Sequence, residues 1–189
     1  MKKIISALLI VIALFNLNAQ ELNSNQESGS ERKNDVTLDP FLLIAIPMLN
    51  VSYERLIDKK MGVGVNAMIV LDDNESDYFT QFSPYFRYYL GKKYASGFFF
   101  EGFIPVTMQR EWPYAWVYNE STNMYYTVDS GEKTFTTVGF GFGVGGKWVI
   151  KNRLVIEASG GIARRFGNFD RNDFSPVTGK IMGGIGYRF

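Results

Sequence analysis

From Val177 to Phe189 the chain alternates. Val177, Gly179, Ile181, Gly183, Ile185, Tyr187 and Phe189 fall on one parity, and Thr178, Lys180, Met182, Gly184, Gly186 and Arg188 on the other. A repeat of two residues belongs to a β-strand, whereas a helix repeats at 3.6. One face of this strand is apolar and ends in two aromatics; the other is polar, basic or glycine. Soluble proteins also contain such strands. What sets this one apart is the aromatic residue at its last position, on the apolar face.

The opposite end has the three-part pattern of a secretory signal peptide: Met1-Lys2-Lys3, an apolar run over Ile4–Phe15, and a small residue at Ala19. Cleavage is expected after Ala19. The apolar run falls short of the roughly 20 residues of a spanning helix. Residues 20–34 hold one apolar side chain, Leu22, too little to offset the entropy of ordering, and read as a flexible leader. The longest later apolar stretch, Phe41–Leu49, is about half a span and contains Pro47. A membrane protein built without spanning helices has to be a closed barrel, because lipid satisfies no open sheet edge.

Residues 35–189 divide into eight segments of strand character: Val36–Ile46, Asn50–Ile57, Met61–Leu71, Phe79–Leu90, Phe98–Gln109, Thr134–Ile150, Leu154–Phe166 and Val177–Phe189. The connections alternate. Asp58–Lys60, Gly91–Gly97 and Lys151–Arg153 are short; Asp72–Tyr78, Arg110–Lys133 and Gly167–Pro176 are long. Only the first hairpin, near Pro47–Leu49, is short where a long loop belongs. Parity assigns sides, since Lys or Arg facing mid-bilayer lipid costs about 2–4 kcal/mol. Phe82, Phe86, Phe98, Phe100, Phe140, Phe142, Ile156 and Ile162 are expected outside; Glu54, Gln81, Ser83, Arg87, Glu101, Thr107, Gln109, Lys147, Glu157, Ser159 and Arg165 inside. Arg55 and Arg164 point outward near strand ends. Phe41–Ile46 does not alternate, so the first strand has no assigned register.

The eight segments of strand character, the turn asymmetry and the terminal Tyr187-Arg188-Phe189 resemble the small OmpA/OmpX-type outer-membrane barrels, particularly those of Bacteroidota. The resemblance covers nearly all of residues 35–189. It implies an all-β, eight-stranded antiparallel up-and-down transmembrane barrel in the bacterial outer membrane, among lipid and lipopolysaccharide. It also implies that Tyr187 and Phe189 form the signal read by the barrel-assembly machinery. With Tyr88, Phe98 and Trp148 they would make the periplasmic aromatic belt.

Glu54, Arg87, Glu101, Lys147 and Glu157 fall at matching depths near one barrel end, with Arg188 close by and Lys180 higher. Eight strands enclose room for side chains only, and buried charges there must pair. The layer reads as a salt-bridge plug; the competing reading is a gated conduit or proton path. Gly139, Gly141, Gly143, Gly145 and Gly146 sit inside a strand and lack the context of a nucleotide loop. They read as space for bulky charged residues opposite. In Arg110–Lys133, Tyr114, Trp116 and Tyr118 alternate and Met124–Val128 can pair back, giving a hairpin. With Trp112, Tyr125 and Tyr126 these aromatics are either a surface for an extracellular partner or an interface belt. The acidic loop Asp72–Asp77 could attract divalent cations between lipopolysaccharide phosphates, although a solvated loop is the favoured reading.

Histidine and cysteine are both absent, and 20 basic residues face 19 acidic ones. Disulfides, thiolate metal sites and lipid-modified cysteines are excluded, and the commonest general base is missing. No basic field argues for nucleic acid. The expectation is a barrel without catalytic residues, metal or cofactor. The alternatives are a binding module using hairpin 110–133, a narrow channel, and a soluble lipocalin-like carrier with its apolar face inward.

Overall fold

The computed structural model describes residues 32–71, 79–111, 114–119, 124–129, 133–167 and 175–189. The proposed signal segment, most of the leader, the acidic loop and Trp112 lie outside them. The fold is all-β: eight antiparallel wall strands joined up and down close into a barrel. The first four are β1 (Asn34–Leu38), β2 (Met48–Leu56), β3 (Met61–Val70) and β4 (Phe79–Tyr89). The fifth comes in two pieces, β5 (Gly97–Phe103) and β6 (Val106–Glu111), both of which pair with β4 on one side. Beyond β7 (Tyr114–Asn119) and β8 (Met124–Asp129), which form a separate two-stranded sheet, come β9 (Lys133–Ile150), β10 (Leu154–Phe166) and β11 (Val177–Arg188). β11 returns to β1 with Asp35 opposite Arg188 and Leu38 opposite Ile185. Asn34 and Phe189 finish the seam by exchanging backbone hydrogen bonds of 3.0 and 2.8 Å.

Two expected strands are corrected. The fifth was expected to run unbroken over Phe98–Gln109, but it breaks at Ile104–Pro105, because proline has no N–H for the ladder. The Pro105 carbonyl still accepts from Gly139 N at 2.8 Å. The first was expected to reach Ile46, but it stops at Leu38 and gives way to helix α1 (Pro40–Ala45). The Asp39 carboxylate accepts from Phe41 N and Leu42 N, both at 3.0 Å, and Pro40 takes the first helical position. An Asp cap followed by proline starts a helix well, and an apolar run without alternation does not resist it. The first connection is therefore built around helix α1, and Met48 and Leu49, expected in a short turn, open β2. β1 itself starts at Asn34, inside the expected leader.

Where β1 ends, side chains carry the seam to β11. Asp39 Oδ2 accepts from Gly183 N at 2.7 Å, Asn50 Nδ2 donates to the Ile181 carbonyl at 2.7 Å, and Gln81 Nε2 to the Gly179 carbonyl at 3.2 Å. These bonds occupy backbone groups that a longer first strand would have paired.

Alternation divides the wall as parity requires. Phe82, Phe86, Phe98, Phe100, Phe140 and Phe142 project outward and are exposed, as is Ile162 at 72%. Glu54, Arg87, Glu101, Lys147 and Glu157 project inward and are buried. The barrel is apolar outside and polar inside. One end carries Asn34, Phe189 and the three short connections (the turn end); the long connections lie at the other (the loop end).

Candidate functional site

The seven charges expected to share the lumen do so, and they bring an eighth. Arg87, on β4, is the hub. Its Nε donates to Glu101 Oε2 at 2.6 Å, its Nη1 to Glu54 Oε2 and Glu157 Oε2 at 2.8 Å, and its Nη2 to Glu157 Oε1 at 2.6 Å. Lys147 Nζ, on β9, donates to Glu54 Oε2 at 2.5 Å and to Asp35 Oδ2 at 3.0 Å. Lys180 Nζ, on β11, reaches Glu101 Oε1 at 2.5 Å. Arg188 grips Asp35 with two nitrogens at 2.7 and 2.9 Å. Asp35 was not among the expected residues. It lies on the inward parity of β1 directly opposite Arg188, and the missing register of that strand hid it.

The network is neutral: Asp35, Glu54, Glu101 and Glu157 balance Arg87, Lys147, Lys180 and Arg188. Hydroxyls complete it, with Tyr89 Oη donating to Glu54 Oε1 at 2.6 Å and Ser159 Oγ to Glu157 Oε1 at 3.2 Å. Aromatic faces line the cations: the Arg87 guanidinium lies 4.3 Å from the Tyr85 ring centre and 4.4 Å from that of Phe99. A buried ion pair is tolerable when its remaining polar atoms are also bonded, and here every carboxylate oxygen of the network accepts at least one hydrogen bond.

Beneath the network the connection after β4 folds back under the barrel. Ala95, with φ of 37°, is buried against Leu56, Tyr89 and Phe99. Its N–H donates to the Lys59 carbonyl at 2.9 Å, and Arg188 donates to the carbonyls of Tyr94 and Ala95 at 3.0 and 2.9 Å. Gly91–Gly97, expected as one of the short connections, is a stopper at the turn end.

Above the network the lumen is lined by polar side chains. Gln81 Oε1 accepts from Thr107 and Thr178 at 2.9 and 3.0 Å, and Asn66 Nδ2 donates to Asn50 Oδ1 at 2.7 Å. At the loop end Arg165 donates to Gln109 and to the Ser175 carbonyl.

Lumen glycines provide room, but for aromatic rings as well as for charge. A Cβ at Gly145 would stand 2.5 Å from Phe99 Cζ, and one at Gly141 2.6 Å from Phe103 Cζ. A Cβ at Gly62 would meet Glu54 Oε1 at 2.1 Å, whereas one at the outward Gly102 meets nothing. Gly62→Ala should therefore destabilise the barrel by about 1–3 kcal/mol through overpacking of the network, and Gly102→Ala should not. Paired thermal scans of the two variants check this, and equal midpoints would refute the role given to Gly62.

The aromatic hairpin forms as its alternation suggests, with Tyr114 opposite Asp129 and Asn119 opposite Met124. Tyr118 and Tyr125 are exposed cross-strand partners with ring centres 5.0 Å apart. Tyr114, Trp116 and Tyr126 lie on the hairpin backbone. At the turn end Tyr88, Phe98 and Trp148 are exposed outside, and Tyr187 and Phe189 are half-buried. Among the described residues no group of three His, Cys, Asp or Glu is disposed to hold a metal ion.

No protein-family model and no curated protein sequence matches the chain. Among solved structures it is similar to the crystal structure of the N-terminal β-barrel domain of Pseudomonas aeruginosa OprF, with a TM-score of 0.50 and 10% sequence identity. The match covers 84% of this chain and 98% of that one. At that identity the likeness concerns the fold: this is a closed β-barrel of the kind seen in that domain.

Proposed function

We propose that the chain is a non-enzymatic, integral outer-membrane barrel whose lumen is closed by its own side chains, with a structural or surface-contact role. The observation that carries this reading is the reversal of sides. Large apolar residues are exposed all along the outer wall, while charged residues are buried and paired within. A soluble carrier of the lipocalin kind has the opposite arrangement, with its apolar face around a ligand. The lipid-facing wall, the outer-membrane address and the barrel-assembly route go together in this reading. The loop end then faces outward among lipopolysaccharide, and the exposed Tyr118–Tyr125 pair makes hairpin β7–β8 the contact surface.

Expressed in a Gram-negative host, the protein should fractionate with the outer membrane and migrate differently on gels before and after boiling. In planar bilayers it should pass no steady ion current. Glu101→Leu should lower the thermal midpoint, because Arg87 Nε and Lys180 lose their shared carboxylate, and should still pass none. A periplasmic pool soluble without detergent overturns the membrane reading; a large wild-type current overturns the closed lumen.

A further inference from the structure

Each cation of the lumen network has a carboxylate, but Arg165 has only neutral partners among the described residues. It projects from β10 into the loop-end half of the lumen, 6% exposed, opposite Gly139 of β9. Its Nη1 donates to Gln109 Oε1 at 2.5 Å and its Nη2 to the Ser175 carbonyl. Its Nε–H has no acceptor among the described residues. Thr137, 5% exposed, lies two residues from Gly139 along β9 on the same inward parity, and among the described residues its hydroxyl is also without a partner. Diagonal neighbours on one sheet face stand about 7–8 Å apart, within reach of a long side chain.

Two buried donors thus lie at diagonal positions of one inward face, beside a charge that no carboxylate among the described residues balances. The carboxylates of Asp35, Glu54, Glu101 and Glu157 are all engaged near the turn end. Gln81, the nearest large polar group toward the network, has its oxygen taken by Thr107 and Thr178. Water could satisfy the two donors but would leave the charge unbalanced, whereas an anionic oxygen answers all three needs. We propose that Arg165 and Thr137 form a site for one anionic oxygen of a phosphate or carboxylate group, entering from the loop end. Arg165 Nε and the Thr137 hydroxyl donate to it. Gln109 and the Ser175 carbonyl hold the guanidinium in place.

The test uses the full barrel in detergent, with its thermal midpoint followed while sodium phosphate or sodium acetate replaces chloride at constant ionic strength. The wild-type midpoint should rise and saturate. Arg165→Gln should lose that rise or need at least about tenfold more anion, as expected when a charge-assisted hydrogen bond is removed. Thr137→Val should weaken it less. Arg164→Gln, one residue away and pointing outward, should behave as wild type. Without added anion, Arg165→Met should melt no lower than wild type, because the charge it removes has no counter-ion among the described residues. Diphosphoryl lipid A in the same micelles separates the sources. A response to lipid A alone assigns the oxygen to a lipid headgroup, and a response to inorganic phosphate assigns it to a soluble anion. A wild-type midpoint that responds to none of the three probes overturns the site. So does an Arg165→Met midpoint several degrees lower without anion, which would mean that the chain supplies its own counter-charge.

Discussion

Arg87→Met is expected to destabilise the folded barrel by about 3–5 kcal/mol, the cost of breaking a buried ionic network by removing one partner. The side chain is fully buried and donates to three carboxylates, so its loss leaves four buried carboxylates against three cations. Glu101 would keep Lys180, and Glu54 would keep Lys147 and the Tyr89 hydroxyl. Glu157 would keep only Ser159 Oγ at 3.2 Å and Lys147 Nζ at 3.6 Å. Glu157 is therefore the group to neutralise in a rescue. Arg87→Met with Glu157→Gln should recover part of the loss, since contacting members of one network are not additive. Urea titrations of the folded fraction, read by gel migration without boiling, give both values. An Arg87→Met midpoint within error of wild type would remove the network from any account of stability.

That hub was legible because β4 alternates from Gln81 to Tyr89; only Thr80, on the outward parity yet buried, breaks the pattern. Gln81, Ser83, Tyr85, Arg87 and Tyr89 lie inside, and Phe82, Phe86, Tyr88 and Leu90 outside. Sheet pairing then fixed the depth of each inward charge, and the turn asymmetry fixed which end they shared. Legibility failed where local chemistry overrode the period. Around Asp39-Pro40 a cap and a proline made a helix out of an apolar run that has no period of two. The loss of register there concealed Asp35, which has to be present if Arg188 and Lys147 are to be neutralised. The folding of Tyr94-Ala95 under the barrel was equally hidden. Its stability comes from backbone carbonyls accepting from Arg188, and carbonyls leave no mark in a sequence. The Arg165 site was half visible: its inward parity was readable, but its lack of a carboxylate is a statement about space.

The outer wall permits a sharper decision than the lumen, because a substitution there reports on the surrounding phase. Phe142 is 67% exposed near the middle of β9, between Gly102 on one side and Ile162 on the other. Its ring packs edge-on against that of Phe140, with centres 4.8 Å apart, on the outside of the wall. If lipid surrounds the barrel, Phe142→Arg should cost about 2–4 kcal/mol in vesicles, and Ile150→Arg near the turn end about 0–1 kcal/mol. If water surrounds it, both should fall within about 0.5 kcal/mol of wild type, as exposed substitutions ordinarily do. The diagnostic is the gradient between the two positions, which cancels any general effect of adding positive charge. Urea unfolding from phosphatidylcholine vesicles measures it. A flat profile would contradict the membrane reading even if the protein were recovered with membranes, since adherence to a bilayer does not produce depth dependence. A steep profile would place Phe142 in hydrocarbon. The charge network would then be closing a hole through a membrane, and its neutrality would follow from the cost of burying net charge at that depth.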